Sequence, residues 1–219
     1  LYQQGQTFQA AERYPEAVAA FDAAIGHDRT LGSAHISKAA SLLAQGEFEK
    51  ARAAIDSAIA TDPANSEFLL FRAGMYQTEA ELQEIAGEGN PEATRNKAHA
   101  DFQRAVEVNP DDDAAWYALA VSLASKGKIE EARQGFQKAI EIAPTDPRYF
   151  QARGDILASR QQYKSAIEDY TRAIDLSPDN PVLYESRGAA YGELGKRQEA
   201  LQDFEKADVL SQKPGSEAQ

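Results

Sequence analysis

A period of thirty-four residues constrains this chain more than any other feature. Ala17, Ala51, Ala98, Ala132, Ala166 and Ala200 each open the same short pattern. An aromatic residue or Ile follows four residues later, and a second Ala three after that. The sets are Ala17-Phe21-Ala24, Ala51-Ile55-Ala58, Ala98-Phe102-Ala105, Ala132-Phe136-Ala139, Ala166-Tyr170-Ala173 and Ala200-Phe204-Ala207. In the middle four, Pro63, Pro110, Pro144 or Pro178 comes five residues further on. Arg29 and Gln212 stand there in the first and last sets. A second pattern lies upstream of each: Gly5/Phe8, Ala39/Leu42, Ala73/Tyr76, Ala120/Leu123, Gly154/Leu157 and Gly188/Tyr191. Self-similarity at this period marks a helical solenoid.

The spacing has a physical cause. Ala-x3-Phe-x2-Ala puts three side chains on one helical stripe. The small residues let two antiparallel helices approach, and the bulky residue one turn away fills the space beside them. The Pro stops the second helix, and Asn65, Asp112, Asp146 or Asn180 then stands ready to cap the next first helix. Pro147 and Pro181 fall where a first helical residue is expected. Gly46, Gly127 and Gly195 mark the turn inside a repeat. These residues resemble the tetratricopeptide repeat family, over nearly the whole chain. The resemblance implies an all-α fold, a right-handed superhelical solenoid of about six helix-turn-helix repeats. They are placed at 1–31, 32–65, 66–112, 113–146, 147–180 and 181–212, as one array. The polar tail at 213–219 is expected to be flexible. The first repeat lacks its opening residues and there is no initiator Met, so the chain reads as a processed protein or an excised fragment.

The third repeat is too long. Ala73 to Ala98 spans twenty-five residues where Ala120 to Ala132 spans twelve. The thirteen extra residues fall at the turn between its two helices. Glu79 to Ala86 still has helical composition, Gly87-Glu88-Gly89-Asn90 breaks it, and Pro91 restarts a helix. Both helices of this repeat are therefore expected to be prolonged into a hairpin finger. A tolerated insertion and a partner-contacting element both remain open as its role.

Composition narrows the function. The net charge is -12, with both signs mixed along the helices. That favours solubility and argues against nucleic acid as a partner. The sequence has no long apolar run for direct membrane insertion. With no Cys, disulfides, thiolate nucleophiles and Cys-based zinc sites are excluded, while cytoplasmic and periplasmic locations both stay open. His27, His35 and His99 lack the helical partner spacing of a metal site. No catalytic, cofactor or metal constellation emerges, and the expected protein is not an enzyme.

One recurrence stands apart from the family outline. The residue before the small one is Arg in three repeats: Arg72, Arg153 and Arg187. The same repeats carry Asp101, Asp169 and Asp203 before the second-helix aromatic. Elsewhere the first position holds Gln4, Lys38 or Leu119, and the second Ala20, Ala54 or Gly135. Arg and Asp occur together or not at all, which predicts an ion pair between the two helices of one repeat, partly buried beneath the Arg stem.

The resemblance further implies that the first helices line a concave groove that binds protein segments. The stripe rotated about 100° from the helix-packing face supplies the candidates. They are Ile36, Ala40, Leu43, Leu70, Gln77, Tyr117, Val121, Gln151, Asp155 and Glu185, with Arg148 at the rim. Ile36, Leu70 and Val121 also suit packing between repeats, and Tyr117 is the leading ligand-contact candidate. The Lys/Asn/Arg set that clamps a terminal carboxylate in chaperone-binding members is missing, since Ala40, Gly74, Val121 and Asp155 stand at its positions. The expected partner is a peptide or helix, apolar or amphipathic, with a basic flank. Two other functions stay open: a self-assembling homo-oligomeric scaffold, and a regulatory or targeting domain of a larger enzyme.

Overall fold

The computed structural model describes residues 1–212. The tail expected to be flexible, 213–219, lies outside the described residues. Among the described residues every regular element is an α-helix, and there are twelve. They run in pairs: α1 (Tyr2–Ala10) and α2 (Tyr14–His27), α3 (Gly32–Ala44) and α4 (Phe48–Thr61), α5 (Ser66–Ala86) and α6 (Pro91–Val108). Then follow α7 (Asp113–Ser125) and α8 (Ile129–Ile142), α9 (Pro147–Ser159) and α10 (Tyr163–Leu176), α11 (Pro181–Glu193) and α12 (Arg197–Ser211). The fold is all-α and built from six helix-turn-helix repeats. The described residues form two compact units, which divide between Ala115 and Trp116.

The helix ends follow local chemistry. Asn65, Asp112, Asp146 and Asn180 each accept a backbone N–H with a side-chain oxygen, at 3.2, 3.0, 2.9 and 3.1 Å. These bonds satisfy donors that the first helical turn leaves without partners. Inside the repeats, Gly46, Gly127 and Gly195 adopt φ of 74°, 73° and 73°. Glu12 and Gln161 take the same left-handed conformation, at 57° and 60°, in the two turns without Gly.

The third repeat is prolonged as expected. α5 has 21 residues where α3, α7, α9 and α11 have 13. α6 has 18 where α2, α4, α8 and α10 have 14. The eight residues added to α5 extend it by about 12 Å at the α-helical rise. The two prolonged helices stay packed together, with Ala80 and Thr94 buried between them.

Each unit has its own core. In the first, Ile55 and Ala58 pack with Ala39, Phe68 and Met75. In the second, Tyr149, Ile174, Leu183 and Leu210 share a cluster, and Trp116 and Tyr117 pack against it. Burial of a residue such as Ile55 contributes about 1.5–3 kcal/mol. The small residues work by contact. A Cβ on Gly5 would lie 2.4 Å from the Phe21 ring, and one on Gly154 would lie 2.7 Å from Tyr170.

Candidate functional site

In the first unit, three expected groove residues meet. Leu43 from α3 and Leu70 and Gln77 from α5 line one hollow of about 410 Å³. Gly74 also lines it, and nothing stands within 4 Å of a Cβ added there. Phe71, Met75, Thr78 and Glu81 complete the lining. Leu43, Leu70 and Gln77 are half-buried, so each side chain keeps a face open. Ile36 packs against the core cluster of the first unit, as does one face of Leu43. Ala40 is half-buried on the same helix.

In the second unit the candidates separate. Tyr117 is half-buried, with its ring centroid 5.1 Å from Tyr149 and 5.7 Å from Phe136. Much of its ring therefore serves packing, within its own repeat against Phe136 and on the next repeat against Tyr149. Arg148 lies over the Tyr117 and Tyr149 rings at 5.9 and 5.6 Å and is tied to Asp146, Nη2 to Oδ2 at 2.6 Å. Val121 is 38% exposed, Asp155 and Glu185 are exposed, and Gln151 is half-buried. Asp155 accepts a hydrogen bond from Tyr170 Oη at 2.8 Å. Although the residue as a whole is exposed, its carboxyl is drawn in against Tyr170; desolvation there pushes it above its ordinary value, and the tyrosine hydroxyl opposes that shift. Burial, and after it the same contact with Asp155, raises the Tyr170 phenol.

The Arg–Asp pairs form in all three repeats that carry them. Arg72, Arg153 and Arg187 each donate Nε and Nη2 to the two oxygens of Asp101, Asp169 and Asp203, at 2.5–2.8 Å. Each aspartate is 6% exposed. The forked geometry suits the planar guanidinium. The third nitrogen reaches the second helix of the preceding repeat: Nη1 donates to Asp56 at 2.7 Å, to Gln137, and to Thr171 at 3.1 Å. Sequence reading missed this second link. Asp56, Gln137 and Thr171 each follow the second-helix Ile, Phe or Tyr, but three different residue types conceal the pattern. In the second repeat Lys38 keeps only the backward link, to Asp22 at 2.6 Å.

The first unit has a larger hollow of about 630 Å³ on the side of α2 and α4. Lys38, Asp22 and Ala54 line it. The short Ala54 leaves room where other repeats place an aspartate. Its remaining charges, Glu47 and Lys50, are of mixed sign. On α12, Leu201, Phe204 and Val209 are exposed, while Leu210 is buried. His35 is buried, donating Nε2–H to the Arg29 carbonyl at 2.9 Å. Among the described residues no group of three or more His, Cys, Asp or Glu could hold a metal ion. Among them, too, no helix is long and apolar enough to cross a membrane.

Comparison with known proteins agrees with this architecture. Tetratricopeptide repeat models match residues 2–66, 36–80 and 95–147, then 154–195 and 182–213. No curated protein matches the sequence. Among solved structures, PilF of Pseudomonas aeruginosa superposes with a TM-score of 0.73 at 18% identity, over 98% of this chain and 91% of its own. MamA superposes with a TM-score of 0.66 at 24% identity, over 79% of this chain and 94% of its own. YrrB does so at 0.64 and 20%, over 87% and 92%. With repeat models covering most of its length, the chain belongs to the tetratricopeptide repeat family of protein-binding scaffolds.

Proposed function

We propose that the protein is a non-enzymatic scaffold that binds a peptide or helical segment of a partner against its first helices. The observation that carries this is the hollow between α3 and α5, where Leu43, Leu70 and Gln77 converge. Apolar walls with a few polar groups suit a segment that buries side chains and keeps its orientation through hydrogen bonds. In the second unit, Val121 offers apolar area, and Asp155 and Glu185 offer negative charge to a basic flank. The absence of a basic clamp in the sequence argues against acidic C-terminal peptides. YrrB, a fold relative, is described as having an unusual peptide-binding site, which is in keeping with this reading.

The test is a pull-down from native lysate read by mass spectrometry. Wild type is compared with Leu70→Asp and Val121→Asp, each verified as helical by circular dichroism. Tyr117→Asp is avoided because that ring packs on Tyr149 and Phe136. A partner enriched by wild type and lost with either variant supports the reading. Equal capture by all three overturns it. Self-assembly is the second reading, favoured by the exposed Leu201, Phe204 and Val209 of α12. Mass that grows with concentration, and falls back with Phe204→Ser, would favour it.

A further inference from the structure

We infer that the prolonged α5 extends the α3/α5 hollow into one docking surface for a basic amphipathic segment of a partner protein. This inference rests on the first-helix binding reading above and names the partner's chemistry. Gly74, Gln77, Thr78 and Glu81 line the hollow; Gln77 and Thr78 lie three and four residues after Gly74, and Glu81 lies four and three after them, the spacing of one helical stripe. The next residues on that stripe are Leu82 and Ile85. Leu82 is 46% exposed and Ile85 is 85% exposed. The stripe thus continues beyond the hollow as apolar surface facing solvent.

This exposure does not come from a frayed end. Ala80 and Thr94 are buried beneath it. Thr94 Oγ1 donates to Gln83 Oε1 at 3.0 Å, and Arg95 pairs with Glu84 across the hairpin. Gly87 closes α5 with a left-handed cap at φ 67°. Ile85 is therefore held outward on a braced helix.

Charge defines the occupant. Residues 73–94 contain five Glu and no Lys or Arg. Glu79 pairs with Arg52, and Glu84 with Arg95. Glu81, Glu88 and Glu92 pair with no cation among the described residues. An apolar stripe that carries Glu81 and is followed by Glu88 just past the end of α5 complements a helix that covers Ile85 and Leu82 with aliphatic side chains and sets Lys or Arg against those two carboxylates. An acidic segment meets like charge there and is rejected.

The experiment titrates the full chain with two labelled 18-residue amphipathic peptides, read by fluorescence anisotropy. They share one Leu/Ile stripe and differ only in Lys or Glu on the flanks. The Lys-flanked peptide is expected to bind at least tenfold tighter than the Glu-flanked one. Leu82→Ser/Ile85→Ser and Glu81→Gln/Glu88→Gln, both on exposed positions, are each expected to weaken it at least tenfold, with helicity unchanged. Affinity lost with Leu70→Asp but kept by the finger variants overturns this inference and leaves the first-helix reading standing. Binding insensitive to Leu70→Asp as well, or no binding, overturns both. A wild-type dimer in sedimentation that Ile85→Ser dissolves assigns the surface to a second copy and overturns the heterologous partner.

Discussion

Arg153 holds Asp169 through two parallel hydrogen bonds, Nε to Oδ2 at 2.8 Å and Nη2 to Oδ1 at 2.5 Å. The pair joins α9 to α10, and Nη1 of the same guanidinium extends to Gln137 on α8. Three helices are thereby fixed by one side chain. Its guanidinium also lies over the Phe150 ring, with the guanidinium carbon 5.9 Å from the centroid. Removing one partner strands a charge at a site where the aspartate is 6% exposed. Asp169→Ala is expected to lower unfolding stability by about 3 kcal/mol. Arg153→Leu/Asp169→Ala should recover most of that, because it restores an apolar pairing of the kind Leu119 supplies in the fourth repeat. Urea unfolding of the single and double variants measures the difference. A double variant less stable than Asp169→Ala would contradict this account.

The turns inside the repeats make a second prediction. Gln161 adopts φ 60°, where its equivalent Gly127 adopts 73°. A side chain in the left-handed region costs about 1 kcal/mol. Gln161→Gly is expected to raise stability by that amount, and Gly127→Ala to lower it similarly. Thermal melts of the two variants should move in opposite directions.

Two glycines within helices should also respond oppositely. An added Cβ at Gly154 would press on the Tyr170 ring at 2.7 Å, while Gly74 has nothing within 4 Å. Gly154→Ala is expected to destabilise by about 1–2 kcal/mol, with overpacking outweighing the gain in helix propensity. Gly74→Ala keeps only that gain, about 0.5–1 kcal/mol. Chemical denaturation of both variants checks the sign.

The pH response of Asp155 tests the electrostatics of the second unit. Its carboxyl is raised in the folded state, first by desolvation, against the lowering effect of Tyr170. The folded chain therefore keeps this proton to higher pH than the unfolded chain does. The group's contribution to stability is full below the ordinary carboxylate range and is lost as pH rises through the raised value. Relative to Asp155→Asn, wild type should lose melting temperature as pH rises from about 4 toward neutrality. Tyr170→Phe removes the opposing bond and should move that loss to higher pH. A constant gap between wild type and Asp155→Asn across the range would show that the carboxyl is not desolvated.

Much of this was legible because repetition amplifies weak local signals. The caps Asn65, Asp112, Asp146 and Asn180 act within their own first turn, so residue type and position suffice. The pairing of Arg with Asp was legible because two residue types covary across six copies. Its backward link was not, since Asp56, Gln137 and Thr171 share only the ability to accept a hydrogen bond. The turns at Glu12 and Gln161 carry no Gly and so gave no signal. Tyr117 fits either a ligand or a neighbouring helix by type alone, and its contacts with Tyr149 and Phe136 depend on how repeats stack.

The thirty-four-residue period, the small and bulky residues on one stripe and the capping chemistry dictate six paired helices and the extra length of the third pair. These are local or periodic properties, written into spacing along the chain. Which stripe residues meet in a hollow, which are consumed by packing, and that Ile85 is left facing solvent are decided only by tertiary structure. Such outcomes depend on surfaces that lie far apart in sequence, and a half-turn of helix rotation would exchange a buried side chain for an exposed one.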